Sequence, residues 1–110
     1  MIFDELARQL KAISGVQFME YEWKTRPAGD FGTYQLDFEA EDDNGDDGKI
    51  DRAWEGSVDL YTHGNKWDKV AAVESVLESV CGSSWRLNSI QYERETGLVH
   101  REFVFQIEAR

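Results

Sequence analysis

Two alternating segments separated by a run of acids constrain this chain more than any other feature. Tyr34, Leu36, Phe38 and Ala40 alternate with Gln35, Asp37 and Glu39. Further on, Trp54, Gly56, Val58 and Leu60 alternate with Glu55, Ser57 and Asp59. A period of two puts successive side chains on opposite faces of a strand, so each segment reads as a strand with one wet face. The residues between them, Asp42-Asp43-Asn44-Gly45-Asp46-Asp47-Gly48, include no hydrophobic side chain and are rich in turn formers. Together they predict a long antiparallel hairpin with an acidic tip.

The remaining elements follow from similar patterns. Phe3, Leu6, Leu10 and Ile13 recur at helical spacing between residues 2 and 14, with Asp4 and Glu5 in the first turn and Gly15 as a stop. From Val16 to Lys24 the period changes to two, and we place Met19, Tyr21 and Trp23 on the apolar side of a first strand. Residues 25–32 contain the only proline and two glycines, which predicts a loop. Asn65 is the expected N-cap of a second helix that carries Trp67, Val70, Val73, Leu77 and Val80 on one stripe and closes at Gly82. Trp85 and Leu87, then Ile90 and Tyr92, form apolar pairs whose parity changes at Asn88-Ser89, as a bulged strand would require. A turn at Glu95-Thr96-Gly97 leads to a fifth strand with Val99, Phe103, Phe105 and Ile107. The expected fold is α+β: two helices packed on one face of a mostly antiparallel sheet of about five strands, in the order α-β-β-β-α-β-β. At 110 residues it forms one domain, 1–110, with no room for a second core.

Charge narrows the function classes. The formal net charge of -10 argues against a basic patch for nucleic acid or an anionic membrane. Between Asp37 and Asp59 lie ten acids against Lys49 and Arg52, a local balance of -8, so one quarter of the sequence holds most of the excess. Cys81 is the only cysteine, and the opening residues lack a basic segment followed by an apolar run, from which an intracellular setting is expected. No apolar stretch approaches the roughly 20 residues of a membrane span. Four Trp, six Phe and four Tyr are many for so small a domain to bury alone, which points to an interface with other chains.

The residues capable of chemistry do not assemble into a signature. Asp43, Asp47, Gly48, Ile50 and Asp51 fit positions one, five, six, eight and nine of an EF-hand loop. Gly45 then falls at position three and Trp54 at position twelve, where a bidentate Glu is needed, so a solvated turn is the better reading and a weak cation site the alternative. Cys81 ends a helical stripe and reads as a packing residue, with His63 and His100 at strand ends or on strand surfaces. There is no phosphate loop, no Gly-x-Ser-x-Gly and no His-Glu-x-x-His, so neither catalysis nor a cofactor is expected. Trp23, Trp54, Trp67 and Trp85 all fall on apolar sides. Trp67 is the candidate for an interface, because it sits in a first helical turn just after a loop.

The chain from Trp54 to its end resembles the small neck and tail proteins of long-tailed bacteriophages, in the tail-completion or tail-terminator group. The likeness rests on Trp54-Glu55-Gly56-Ser57-Val58-Asp59-Leu60-Tyr61-Thr62 leading into the helix from Lys69 to Leu77, and on the final hairpin from Asn88 to Phe103. It implies a non-catalytic virion protein, assembled in the host cytoplasm, that forms a homo-oligomeric ring, commonly of six subunits, and joins tail tube to head connector. On that reading Asp42, Asp43, Asp46 and Asp47 are candidates to line a channel and repel the phosphates of passing DNA. The plainer alternative is that charge keeps an exposed hairpin soluble and unpaired. A different class of function, an acidic adaptor or inhibitor module acting on a basic partner, is the competing expectation.

Overall fold

The computed structural model describes residues 1–40 and 53–108. The acidic tip, with Asp42, Asp43, Asp46 and Asp47 and the partial calcium-loop pattern from Asp43 to Asp51, lies outside the described residues. Helix α1 spans Ile2–Lys11 and helix α2 Trp67–Cys81. The strands are β1 (Val16–Glu20), β2 (Asp30–Ala40), β3 (Ala53–His63), β4 (Trp85–Glu93) and β5 (Leu98–Ile107). They form one sheet in the order β1-β2-β3-β5-β4, parallel only between β1 and β2. This is the expected α+β order with its long hairpin, closed by Ala40 opposite Ala53.

Residues directly opposite in a ladder share a face, so the register identifies the inner side of the sheet. Tyr34 faces Val58, Val58 faces Phe103, and Leu60 faces Arg101. Leu6 and Leu10 of α1 and Val70, Val73 and Leu77 of α2 pack with Phe18, Tyr34, Val58, Leu60, Phe103 and Phe105 in a single cluster. Both helices therefore cover one face. Burying each of these large side chains stabilises the fold by about 1.5–3 kcal/mol. Two glycines permit the strands to pack this closely. A Cβ at Gly32 would collide with the Phe18 ring, and one at Gly56 would collide with the Gln35 carbonyl and the Phe105 ring.

Several local expectations are corrected. In β1 the buried residues are Val16 and Phe18, whereas Met19 and Tyr21 are exposed and the strand ends at Glu20. Val16-Gln17-Phe18 alternates as well as the later residues do, and the turn of Tyr21 into φ 69° stops the strand before the second pattern can be used. Trp23 leaves the core and donates from Nε1 to the Gly32 carbonyl at 3.0 Å on the opposite face. Strand β2 begins at Asp30, inside the segment expected to be a loop, and the connection from β1 is residues 21–29 alone. Phe38 was placed beside Leu36 on the apolar side but is exposed, because the register shifts between those residues and turns Phe38 toward the face of Glu55. The N-cap of α2 is Lys66, in the left-handed region at φ 47°, not Asn65. The carbonyl of Asn65 instead accepts from Arg101. Helix α1 ends at Lys11 rather than at residue 14.

Candidate interaction surface

Asp30 explains why the β3–α2 loop takes this shape. Its carboxylate, at the start of β2, accepts from the His63 backbone N–H at 2.9 Å and from Lys66 Nζ at 3.0 Å, with His63 Nδ1 at 3.2 Å. Burial on its own pushes the Asp30 pKa up, but these bonds to the charged form outweigh it and hold the pKa below its ordinary value. The loop is thus fastened to β2 through Lys66, and α2 starts one residue later. That start places Trp67 outward.

Trp67 is 65% exposed, and its ring lies over the Arg101 guanidinium at 4.9 Å. Arg101 itself is 1% exposed, on the helix side of β5. Its Nη1 donates to the Asn65 carbonyl at 3.0 Å, and its Nε is buried with no hydrogen-bond partner among the described residues. Burial lowers its pKa, while Glu74 acts in the opposite direction. The Arg–Trp pair is therefore a desolvated cation capped by an open aromatic face.

Strand β4 extends this surface. Leu87 pairs with Phe103, Ile90 with Arg101 and Tyr92 with Val99, so all three point to the helix side. They are nevertheless 40%, 55% and 65% exposed. The flank of α2 comes down onto β4 only at its start, where Trp85 Nε1 donates to Glu78 Oε2 at 2.6 Å. Beyond that point the strand is uncovered, and it lies at the end of the sheet with no further strand beside it among the described residues. Trp67, Leu87, Ile90 and Tyr92 thus line one apolar strip next to an open sheet edge. Periodicity identified these residues as an apolar side, and Trp67 was singled out as an interface residue. Exposure of the β4 residues had no separate signal, since it depends on how far α2 reaches.

The opposite face of the sheet is partly covered by the loop 21–29. Phe31, Tyr61 and His100 stack, with centroid spacings of 4.7 and 4.2 Å. Arg26 lies over Phe31 and Tyr61 and reaches Glu93 of β4 at 2.8 Å. His100 Nε2 is 2.7 Å from Asp59 Oδ1. A shallow groove of about 300 Å³ runs between Trp23, Arg26, Asp59 and Tyr61. Two of its polar groups are engaged from outside the groove, Arg26 by Glu93 and Asp59 by His100. Cys81, on α2, is half-buried, and burial pushes its thiol up to about 11, so the thiolate needed for nucleophilic attack is scarce at neutral pH.

Among the described residues, no three metal-ligating side chains converge, and no helix is long and apolar enough to cross a membrane. Comparison with family models and with curated proteins finds no match to this chain.

Proposed function

We propose that this chain is a structural virion-assembly protein, a tail-completion or tail-terminator subunit of a long-tailed bacteriophage or prophage. In this role it forms a ring at the head–tail junction and meets the tail tube on one side and the head connector on the other. The observation that carries the reading is the apolar strip of Trp67, Leu87, Ile90 and Tyr92 beside an open strand on a small acidic domain. Trp, Tyr and Arg are the residue types that dominate interface cores, and Trp67 over Arg101, with Tyr92 nearby in the ladder, supplies all three. The segments that resemble the phage group, Trp54–Thr62, Lys69–Leu77 and Asn88–Phe103, fall on β3, α2 and the β4–β5 hairpin. The last of those pieces supplies Ile90 and Tyr92 of the strip, and Trp67 and Leu87 lie just outside the matching segments.

Negative-stain electron microscopy of the purified protein, alone and mixed with isolated tail tubes, tests the reading. Rings, or caps on one end of the tubes, are the expected result. Bare tube ends and no ring in either sample overturn it. The second reading, an acidic adaptor or inhibitor, is favoured by the local balance of -8 between Asp37 and Asp59. It predicts a small species that binds a basic protein with an association rate falling steeply as salt is added.

A further inference from the structure

We propose that β4 pairs with the β4 of a second copy of this chain, antiparallel across a two-fold axis at Ile90, and that the two sheets become one. The strand Trp85–Glu93 is self-complementary in a way that its bulge makes possible. The register shift between Leu87 and Ser89 leaves Asn88 and Ser89 together on the side away from the helices, where Asn88 Nδ2 donates to Glu102 Oε1 at 2.7 Å. With Ile90 opposite the partner's Ile90, the Asn88–Ser89 pair meets the partner's Gln91. Leu87 then meets the partner's Tyr92, and Arg86 meets the partner's Glu93.

Every one of these pairs joins residues on the same side of the sheet, as antiparallel pairing demands. Without the bulge, Asn88 would oppose Tyr92 and Leu87 would oppose Glu93, setting polar side chains against apolar ones. Charge selects the same arrangement. Arg86 and Glu93 are the only charged residues of the strand, and the pairing sets each against its opposite, twice, with no like charges facing. Glu93 already accepts from Arg26 and from Thr96 Oγ1, and a carboxylate has acceptor capacity for a further donor. On the helix side the contact covers Leu87, Ile90 and Tyr92, the three β4 residues that α2 leaves open.

An isologous contact closes on itself and cannot generate a six-membered ring. It therefore cannot itself be the ring contact: it occupies the same β4 surface in the free chain, does not depend on the phage reading, and would have to open before that surface met a ring neighbour. Its role is to cover the longer of the two sheet edges left open among the described residues, an edge that would otherwise invite indiscriminate strand addition.

Two measurements on the full chain test this. Sedimentation equilibrium across a dilution series should show a monomer–dimer equilibrium, and Ile90→Asp, which sets two carboxylates against each other at the axis, should weaken it by roughly tenfold or more. Ile90 is exposed, so the variant should keep the wild-type circular dichroism. In a Cys81→Ser background, Ile90→Cys should oxidise to a disulfide-linked dimer, because residues opposite in an antiparallel pair lie within disulfide reach. Tyr92→Cys alone should not, yet it should cross-link when mixed with Leu87→Cys. A wild-type chain that stays monomeric throughout overturns the proposal. So does a dimer indifferent to Ile90→Asp, or a Tyr92→Cys variant that cross-links to itself as readily as Ile90→Cys.

Discussion

Strands β4 and β5 are neighbours joined by one turn, yet facing residues on the same side of the sheet have opposite fates. Phe103 is 0% exposed and Leu87 across from it 40%; Arg101 is 1% exposed and Ile90 across from it 55%. Hydrophobicity does not decide which is buried, since the charged member of the second pair is inside and the aliphatic one outside. Helix α2 decides it. Its core stripe of Val70, Val73 and Leu77 packs in one cluster with Phe103 and Phe105 of β5, and on β4 the core reaches Trp85 but leaves Leu87, Ile90 and Tyr92 exposed. The core stops at a line between two adjacent strands, and surface of core composition begins on the other side of it.

The largest effect should come from breaking the buried member of the first pair. Phe103→Ala opens a cavity in the core cluster and should cost about 3–5 kcal/mol, read as a fall in the denaturant midpoint. A loss below about 1 kcal/mol would mean that the line is drawn in the wrong place. A smaller effect is expected at Asp30, which fastens the loop leading into α2 and so fixes where the helix begins. Asp30→Ala leaves the His63 N–H and the Lys66 ammonium without their acceptor and should cost about 1–3 kcal/mol at neutral pH. The sign of its pH dependence follows from linkage. The folded pKa is held below the ordinary 3.8, so the contribution is complete above that value and is lost as pH falls through the folded pKa. Wild type and Asp30→Ala should therefore converge in stability on acidification below about pH 3.8, and a constant difference down to strong acid would exclude ionised Asp30 as the cause.

Much of this was legible in the sequence because most elements repeat their own pattern. The hairpin of β2 and β3, the α2 stripe, the β5 alternation and the β4 bulge all follow from spacing alone. Illegible were the places where two patterns competed or where a neighbour's extent mattered. Val16-Gln17-Phe18 and Met19-Glu20-Tyr21 offer two phases for one strand, and only the packing of Phe18 over Gly32 chooses between them. Phe38 obeys the alternation on paper, but a bulge between Leu36 and Phe38 reverses it. For the interface, Trp67 was visible as a large aromatic at a helix start. The exposure of Leu87, Ile90 and Tyr92 was not, because identical alternation marks the buried strand beside them.

The smallest effect on the single chain should come from the exposed member of the second pair. Ile90→Thr keeps a β-branched side chain and so keeps the strand preference while removing apolar surface. At dilutions where the chain is monomeric it should change unfolding free energy by no more than about 0.5 kcal/mol, since nothing is buried over Ile90 in one copy. At higher concentration the two proteins should part. Association that favours the folded state makes the wild-type melting temperature rise with protein concentration, whereas the variant's should stay nearly flat. Equal concentration dependence in both would locate self-association elsewhere on the molecule. A large loss in the dilute monomer would instead put Ile90 inside the core, and the line between β4 and β5 would have to be redrawn.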